Sequence, residues 1–123
     1  MNIKKITLNN KEIAVVTGDE KVITDAQSAI DLIMTVKYEH STNLLAVDKN
    51  IVAEEFFILS SGIAGEVLQK FINYQAKIAV FGDYTKYTSK PLKDFIYESN
   101  KGKDIFFVPT KEETVQRLSE ASI

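Results

Sequence analysis

LSSGIAGE at residues 59–66 and the apolar segment KIAVFG at residues 77–82 give the strongest indication of the fold. The first segment places two serines and a glycine at a helix start, where Ser is a favoured cap and Gly is tolerated. Apolar residues then recur at helical spacing from Ile63 to Tyr74. The second segment is a short continuous apolar run, which is typical of a strand covered on both faces. A helix leading into such a strand predicts an α/β domain with a largely parallel sheet.

Outward from this pair, strand and helix patterns alternate along the chain. Two segments around Asn9-Asn10 predict a β-hairpin, because asparagine tolerates the positive φ angles of a tight turn. Thr24 with Gln27 has the spacing of a capping box and predicts a helix start. Thr110 with Glu113 repeats that pattern. The predicted elements are strands at residues 3–8, 12–17, 43–47, 78–81 and 105–108, and helices at residues 24–38, 63–74, 91–100 and 110–121.

This order, ββαβαβαβα, predicts a single α/β domain over residues 1–123. Strand–helix alternation requires a mostly parallel five-stranded sheet with helices on its faces. The first strand, joined by a tight hairpin, must run antiparallel at or near an edge. The segment from Lys49 to Leu59 is less regular and is compatible with one helical turn beginning at Asn50.

Composition describes an ordinary globular protein. The 123 residues are 45% hydrophobic and 26% charged, which fits one compact domain and argues against disorder. The net charge of −2 gives no basic surface for nucleic acid. No apolar run is long enough to cross a bilayer, and no secretion signal is evident. With no cysteine in the chain, we expect a cytoplasmic protein without a membrane partner.

No catalytic motif stands out. His40 is the only histidine, and no Gly-x-Ser-x-Gly segment is present to position a serine nucleophile. The carboxylates are scattered without zinc-ligand spacing, and neither a dinucleotide-binding nor a phosphate-loop glycine pattern occurs. The sequence therefore predicts no catalytic residue, no metal site and no cofactor.

The helix start at Ser60, Ser61 and Gly62 is the first candidate site. A helix N-terminus offers free backbone N–H groups to an anion, so this segment could hold a phosphate or carry one on a serine. The ordinary alternative is helix capping, with Gly62 and Gly65 packed closely against the sheet. Both interpretations remain open at the level of sequence.

The second candidate is the edge of the sheet where the parallel strands end. Ligands of open α/β sheets bind outside the carboxyl ends of the strands. Asp48, Asp83, Tyr84 and the helix start at Ser89-Lys90 are predicted to share this edge with the serine pair. The outer side of the helix that begins after Gly62 is a further candidate partner surface, and Asn100 near a later helix end either caps locally or bonds a neighbouring loop. The candidate ligand or partner residues are thus Asp48, Gly65, Glu66, Lys70, Asn73, Asp83, Tyr84, Ser89, Lys90 and Asn100.

Part of this pattern resembles the STAS domain, the fold of bacterial anti-sigma-factor antagonists. The resemblance rests on the strand at residues 44–47, the stretch FILSSG at residues 57–62, the helix after it and the strand at residues 78–81. In that family a segment reading roughly Asp-Ser-Ser-Gly-Leu opens the helix, and a kinase phosphorylates a serine there. Here Leu59 stands where the family has the aspartate, so the resemblance implies the fold more directly than the switch.

A longer resemblance is to a bacterial family, domain-of-unknown-function family 4180. It carries no settled activity. The matching segments are FF at residues 56–57, SGIAGE at 61–66, LQKF at 68–71, NY at 73–74, GD at 82–83, SK at 89–90, FI at 95–96 and ESN at 98–100, followed by Gly102.

Three hypotheses for function follow. The first is a non-enzymatic regulatory or protein-interaction module, switched by phosphorylation at Ser60 or Ser61. The second is a small enzyme or small-ligand-binding protein that uses Asp48, Asp83, Tyr84 and Ser89. The third is a homodimer built on the edge hairpin or on an exposed helix.

Overall fold

A computed structural model describes residues 1–121 and shows the predicted α/β fold. Five strands and four helices alternate in the expected order, with short 3-10 turns between the third strand and the second helix. The elements are β1 (Asn2–Leu8), β2 (Lys11–Thr17), α1 (Ala26–His40), β3 (Leu44–Asp48), α2 (Ile63–Asn73), β4 (Lys77–Phe81), α3 (Lys90–Lys101), β5 (Ile105–Val108) and α4 (Lys111–Ala121).

The five strands form one sheet in the order β1-β2-β3-β4-β5. β1 pairs with β2 antiparallel at one edge, as the hairpin predicts, and every other pair is parallel. The Asn9-Asn10 turn adopts positive φ angles at both residues, which asparagine tolerates better than most side chains. Because β2 to β5 are parallel, their carboxyl ends and the starts of the following helices lie along one edge of the sheet. We call this edge the strand rim.

The two faces of the sheet are covered unequally. The larger core joins β-strand residues such as Val16, Val47 and Val80 to buried residues of α1, α2 and α3. The opposite face, which includes Ile13 and Phe106, is covered by α4. α4 contacts all five strands, so it crosses the whole sheet.

The start of α1 differs from the sequence prediction by one residue. The capping box consists of Asp25 and Ser28, with the Ser28 N–H donating to Asp25 Oδ1 at 2.8 Å, and not of Thr24 and Gln27. The reason lies upstream, where Ile23 forms a parallel bridge with Val52 that keeps the backbone extended. The predicted cap of α4 is confirmed in part, since the Glu113 N–H donates to Thr110 Oγ1 at 3.2 Å.

The connection between β3 and α2 is more structured than the sequence indicates. It contains three short 3-10 turns, at Lys49–Ile51, Glu54–Phe57 and Leu59–Ser61, where one helical turn was expected. Phe56 and Phe57, which belong to the second of these turns, are buried. The connection is therefore a packed part of the domain that brings residues 49–62 to the strand rim.

Candidate functional site

The segment Ile58–Gly62, here called the α2 corner, projects at the start of α2. The side chain of Phe57 is buried, whereas Ile58 directly after it is 54% exposed. Ser60, Ser61 and Gly62 are also exposed. Gly62 has a φ angle of 80°, a left-handed conformation that ends the 3-10 turn and that glycine adopts without strain. The corner thus presents one large apolar side chain beside two hydroxyls.

The two serines of the α2 corner have different roles. The Ser61 hydroxyl donates to the Glu55 carbonyl at 2.7 Å and accepts from the Ile63 N–H at 3.2 Å. It therefore ties the corner to the preceding turn and serves one of the free N–H groups of α2. Within residues 1–121, the Ser60 hydroxyl makes no hydrogen bond. Ser60 is the serine whose oxygen remains available to another molecule.

The expected close packing of Gly62 and Gly65 against the sheet is wrong. Both glycines are exposed, and a Cβ atom added at either would meet no atom within 4 Å. The apolar side of α2 is formed by Ala64, Val67, Leu68 and Phe71, so Gly65 falls on the opposite side. Glu66 and Asn73 lie on this outer side with Gly65, while Lys70 is half-buried at its margin.

The strand rim brings Asp48, Asp83 and Tyr84 close to one another, as the sequence predicts. Asp48 and Asp83 line a shallow cleft of about 360 Å³, together with Lys49, Asn50 and Lys86 among others. Asp83 and Tyr84 line a second concavity of about 580 Å³ with Pro109. The β4 exit loop leads to α3 on one face of the sheet and the β5 exit loop leads to α4 on the other, and the second concavity is lined by residues of both loops.

The polar groups of these three residues are partly used by the fold. Asp48 Oδ1 accepts from the Asn50 N–H, and Asp83 Oδ1 accepts from the Thr85 N–H, both at 2.9 Å. Hydrogen bonding from Thr85, by its side chain and its backbone N–H, lowers the pKa of Asp83. The Tyr84 hydroxyl donates to the Val80 carbonyl at 2.7 Å, and burial raises the pKa of this phenol. Tyr84 therefore offers its ring, not its hydroxyl, to the second concavity.

Sequence reasoning missed a charged cluster on the same rim, formed by Lys49, Glu54, Lys86 and Tyr87. Glu54 accepts from Lys86 at 3.1 Å and from the Tyr87 hydroxyl at 3.0 Å, and it lies 3.5 Å from Lys49 Nζ. The Lys49 ammonium also sits 5.0 Å from the ring centre of Phe57 and 4.9 Å from that of Tyr87. We call these four residues the Lys49 cluster. The charged and hydrogen-bonding groups of the cluster are paired with one another. Through these contacts the connection after β3 is joined to the loop after β4.

Gly82 makes room for this cluster. A Cβ atom at Gly82 would lie 2.6 Å from Lys49 Cβ, closer than two such atoms can approach. Burial lowers the pKa of the Lys49 ammonium, and the Glu54 carboxylate opposes this shift without cancelling it. Burial alone would raise the pKa of Glu54, but the hydrogen bonds from Lys86 and Tyr87 hold it below its ordinary value. The only sequence signal was the position of Lys49 directly after a buried strand.

The remaining candidates have local structural roles. Ser89 caps α3, since its Oγ accepts from the Leu92 N–H at 3.4 Å, and Lys90 pairs with Asp94 on the exposed surface at 2.7 Å. Asn100 reaches the outer edge of β5: its amide donates to the Phe107 carbonyl at 2.9 Å and accepts from the Phe107 N–H at 2.7 Å. Asn100 thus occupies the backbone groups that a further strand would use.

Comparison with known proteins gives the family. The model of the family described as "Domain of unknown function (DUF4180)" matches residues 8–118. This chain belongs to that family. Neither the curated proteins nor the solved structures compared with it include a significant match.

Residues 1–121 lack two features that would have pointed to a function. No helix there combines the length and apolar character that crossing a bilayer requires. The same residues hold no group of three or more histidine, aspartate or glutamate side chains arranged to bind a metal ion.

Proposed function

We propose that this member of the DUF4180 family is a non-enzymatic protein-interaction module that docks a partner at the α2 corner. The observation that carries the proposal is the exposure of Ile58, at 54%, directly after the buried Phe57. Exposure of an aliphatic side chain to water is unfavourable in the isolated domain. Binding becomes more favourable when a partner covers that side chain. Because Ser61 ties the turn to Glu55, the backbone that carries Ile58 is ordered before docking, which limits the backbone entropy lost on docking.

A charge switch at Ser60 belongs to the same proposal. A phosphate there would add about two negative charges and would be stabilised by the positive end of the α2 dipole. It would also place bulk and charge beside Ile58, on the surface that the partner must cover. Phosphorylation of Ser60 is therefore expected to release the partner. The free hydroxyl of Ser60 supports this residue over Ser61, whose hydroxyl is already engaged.

The STAS-like architecture is a further part of this proposal. It is supported by the element order and by the serine pair at the start of α2. Bacterial origin is proposed from the family resemblance, and a cytoplasmic location from the cysteine-free composition.

The docking proposal can be tested by affinity capture from native cells, comparing the wild type with Ile58→Ala, Ser60→Asp and the neutral control Ser60→Asn. We expect Ile58→Ala and Ser60→Asp to lose a protein that the wild type and Ser60→Asn retain. Identical captured proteins for all four would overturn the proposal. Intact mass of the natively purified protein tests the switch, since it predicts a species heavier by one phosphate.

A second candidate, a small-ligand site, is favoured by the two concavities that share Gly82 and Asp83 on the strand rim. Each of Asp48 and Asp83 has one carboxylate oxygen outside its Asx hydrogen bond, and Tyr84 and Pro109 supply apolar surface. Native mass spectrometry of the purified protein is the direct test. A co-purified small molecule that is lost in Asp83→Asn would support this candidate, and a wild-type spectrum with the mass of the bare chain would count against it.

A further inference from the structure

The two edges of the sheet differ in whether their backbone groups are already bonded. At the β5 edge, the Asn100 side chain bonds both the N–H and the carbonyl of Phe107, so a further strand finds these groups taken. At the β1 edge, residues 2–8 make no backbone hydrogen bond within residues 1–121 apart from the ladder to β2. An edge strand with free N–H and C=O groups is a template for an added strand. β1 is therefore the edge that is open to one.

The hairpin register shows which backbone groups of β1 are free. Leu8 and Lys11 flank the two-residue turn, and a turn of that length with positive φ at both residues closes on a hydrogen-bonded pair. Hydrogen-bonded and non-hydrogen-bonded pairs alternate along antiparallel strands. The N–H and C=O groups of Ile3, Lys5 and Thr7 therefore point away from β2, to the outside of the sheet.

An apolar cleft lies beside this edge, between β1 and α4. It measures about 290 Å³ and is lined by Ile6, Leu8, Lys111, Glu112, Val115 and Gln116, here called the β1 groove. Ile6 and Leu8 are half-buried and pack against the core beneath α4, so they lie on the α4 face of β1. The two charged residues of the groove, Lys111 and Glu112, are of opposite sign. A strand added beside β1 would direct every second side chain toward this groove.

We propose that the β1 edge binds an extended, acidic segment of another protein as a sixth strand, with alternate apolar side chains of that segment seated in the β1 groove. In strand addition, main-chain hydrogen bonds supply affinity and pockets for alternate side chains supply specificity. The added segment runs antiparallel to β1, because antiparallel pairs are more stable per residue than parallel ones. Its residues opposite Ile6 and Leu8 are apolar. The β1 groove shares no residue with the α2 corner, so this proposal goes beyond the docking proposal above and does not depend on it.

The charge of β1 determines the kind of segment that fits. Lys4 is two residues before Ile6 and so lies on the same face of the strand, and its ammonium makes no ion pair among residues 1–121. Lys5, on the other face, is paired with Glu12. An acidic side chain of the added strand opposite Lys4 supplies the missing partner. A second copy of β1 would instead bring its own lysines to this edge, and lysine on an edge strand opposes such self-pairing.

The test is an NMR titration of the full chain with a capped peptide, Thr-Val-Thr-Val-Thr-Glu-Thr. In the proposed register, both valines face the β1 groove and the glutamate faces Lys4. Binding is expected to be weak, because a single added strand buries little surface. It should slow hydrogen exchange at the amides of Ile3, Lys5 and Thr7, since the alternate amides of β1 are already bonded to β2. No binding at millimolar peptide, or binding without this alternate protection, would overturn the proposal.

Two N-methylated forms of the peptide distinguish strand addition from simple apolar contact. The threonine N–H groups face β1 in this register, whereas those of valine and glutamate face away. Methylation of the second and third threonines should weaken binding at least about tenfold, because two main-chain hydrogen bonds are lost. Methylation of both valines removes no such bond and should change the affinity by less than about threefold. Equal effects of the two modifications would show that the peptide does not extend the sheet.

A matched pair of variants at Lys5 tests the same bonds from the side of the protein. Lys5→Pro removes an outward N–H and leaves the ladder to β2 complete, which is where an edge strand tolerates proline. It should weaken peptide binding at least about tenfold. Lys5→Thr loses the same charge but keeps the N–H, and should bind within about threefold of the wild type. A folded Lys5→Pro chain that binds like the wild type would overturn the proposal.

Charge reversal tests the register. Lys4→Glu should bind a peptide with lysine in place of its glutamate better than the original peptide, the reverse of the wild-type order. Lys93→Glu, at an exposed position on α3, is the matched control and should keep the wild-type order. An unchanged order in Lys4→Glu would contradict the proposed register. Ile58→Ala should bind the peptide normally, which separates this result from the docking test.

A second copy of the chain is the alternative occupant of the β1 edge. It would protect the amides of Ile3, Lys5 and Thr7 without peptide, to a degree that rises with protein concentration. We expect no such rise, and sedimentation should give the mass of a monomer over the same range. Protection that grows with protein concentration alone would show that the edge pairs with itself, and the proposal of an acidic partner segment would be wrong.

Discussion

Along the chain, α2 lies between the two parts of the Lys49 cluster, yet the outer face of α2 and the cluster use polar side chains in opposite ways. In the Lys49 cluster, each charged group has a partner within the fold, and Gly82 is required because the Lys49 stem occupies its side-chain space. On α2, Gly65 has no close neighbour, and Glu66 and Lys70 have no ion-pair partner among residues 1–121. A charged cluster is thus no guide to function by itself. Groups that the fold leaves unused are better candidates for contact with another molecule.

Alanine substitution of two asparagines, Asn100 and Asn73, should give the largest difference in the free energy of unfolding. Asn100→Ala removes both hydrogen bonds to the backbone of the buried Phe107, and each group left unpaired costs about 1–3 kcal/mol. Asn73→Ala removes only a surface contact with Gln69 and should change the free energy of unfolding by less than about 0.5 kcal/mol. Urea denaturation measures both, and hydrogen exchange should speed up at the Phe107 amide in Asn100→Ala. Equal changes in the free energy of unfolding for the two variants would contradict the distinction between side chains that the fold requires and side chains that it does not.

Substitution of glycine by alanine should change the free energy of unfolding in opposite directions at Gly82 and Gly65. Gly82→Ala forces Lys49 out of its position and is expected to destabilise the domain by about 1–3 kcal/mol, the usual range for overpacking. Gly65→Ala enters open space in a helix and is expected to stabilise the domain by about 0.5–1 kcal/mol. Thermal and urea unfolding of the two variants provide the comparison. If Gly65→Ala were destabilised, the fold of the single chain would itself require glycine at position 65.

The two serines of the α2 corner give a smaller contrast. Ser61→Ala loses the hydrogen bond to the Glu55 carbonyl and the one from the Ile63 N–H, and a lost intramolecular hydrogen bond costs about 1 kcal/mol. Ser60→Ala loses no intramolecular bond and should be nearly neutral, within about 0.5 kcal/mol. Urea denaturation midpoints distinguish the two variants if the dependence of the unfolding free energy on urea concentration (the m-value) is the same in both. If Ser60→Ala proved the more costly, the assignment of Ser60 as the available hydroxyl would fail.

The smallest effect concerns acid stability. The pKa of Glu54 is lower in the folded state than in the unfolded chain, so its contribution is present above the ordinary carboxyl range and is lost as the pH falls through the folded value. Glu54→Gln should therefore flatten the loss of stability below about pH 4.5, by at most a few tenths of a kcal/mol because the group is half exposed. Denaturation midpoints from pH 6 to pH 3 test this. A wild-type profile that matches Glu54→Gln throughout would show that the cluster does not hold this carboxylate ionised.

The fold could be predicted because its signals are local. The apolar run of β4, the Asn9-Asn10 turn and the cap at Thr110 each act within a few residues, and each led to the correct element. The start of α1 was misplaced because a bridge to Val52, far along the chain, keeps Ile23 extended. Local patterns cannot report a contact of that kind.

The candidate site was less predictable for the same reason. The sequence placed the serine pair at the start of α2 but could not tell which hydroxyl the fold uses, because the acceptor is the Glu55 carbonyl. The Lys49 cluster depends on Gly82, which is 33 positions further along the chain, and neither residue is informative alone. Gly65 looked like a packing residue until the helix face it occupies was known.

The position of α4 also bears on how the chain is made. One face of the sheet, which includes the buried side chains of Ile13 and Phe106, is covered by this last described element. During synthesis, that surface stays open to water until α4 has left the ribosome, so the nascent domain passes through a stage with exposed apolar strands. Chains cut before residue 111 should therefore aggregate or recruit chaperones, even though every strand of the sheet is already present.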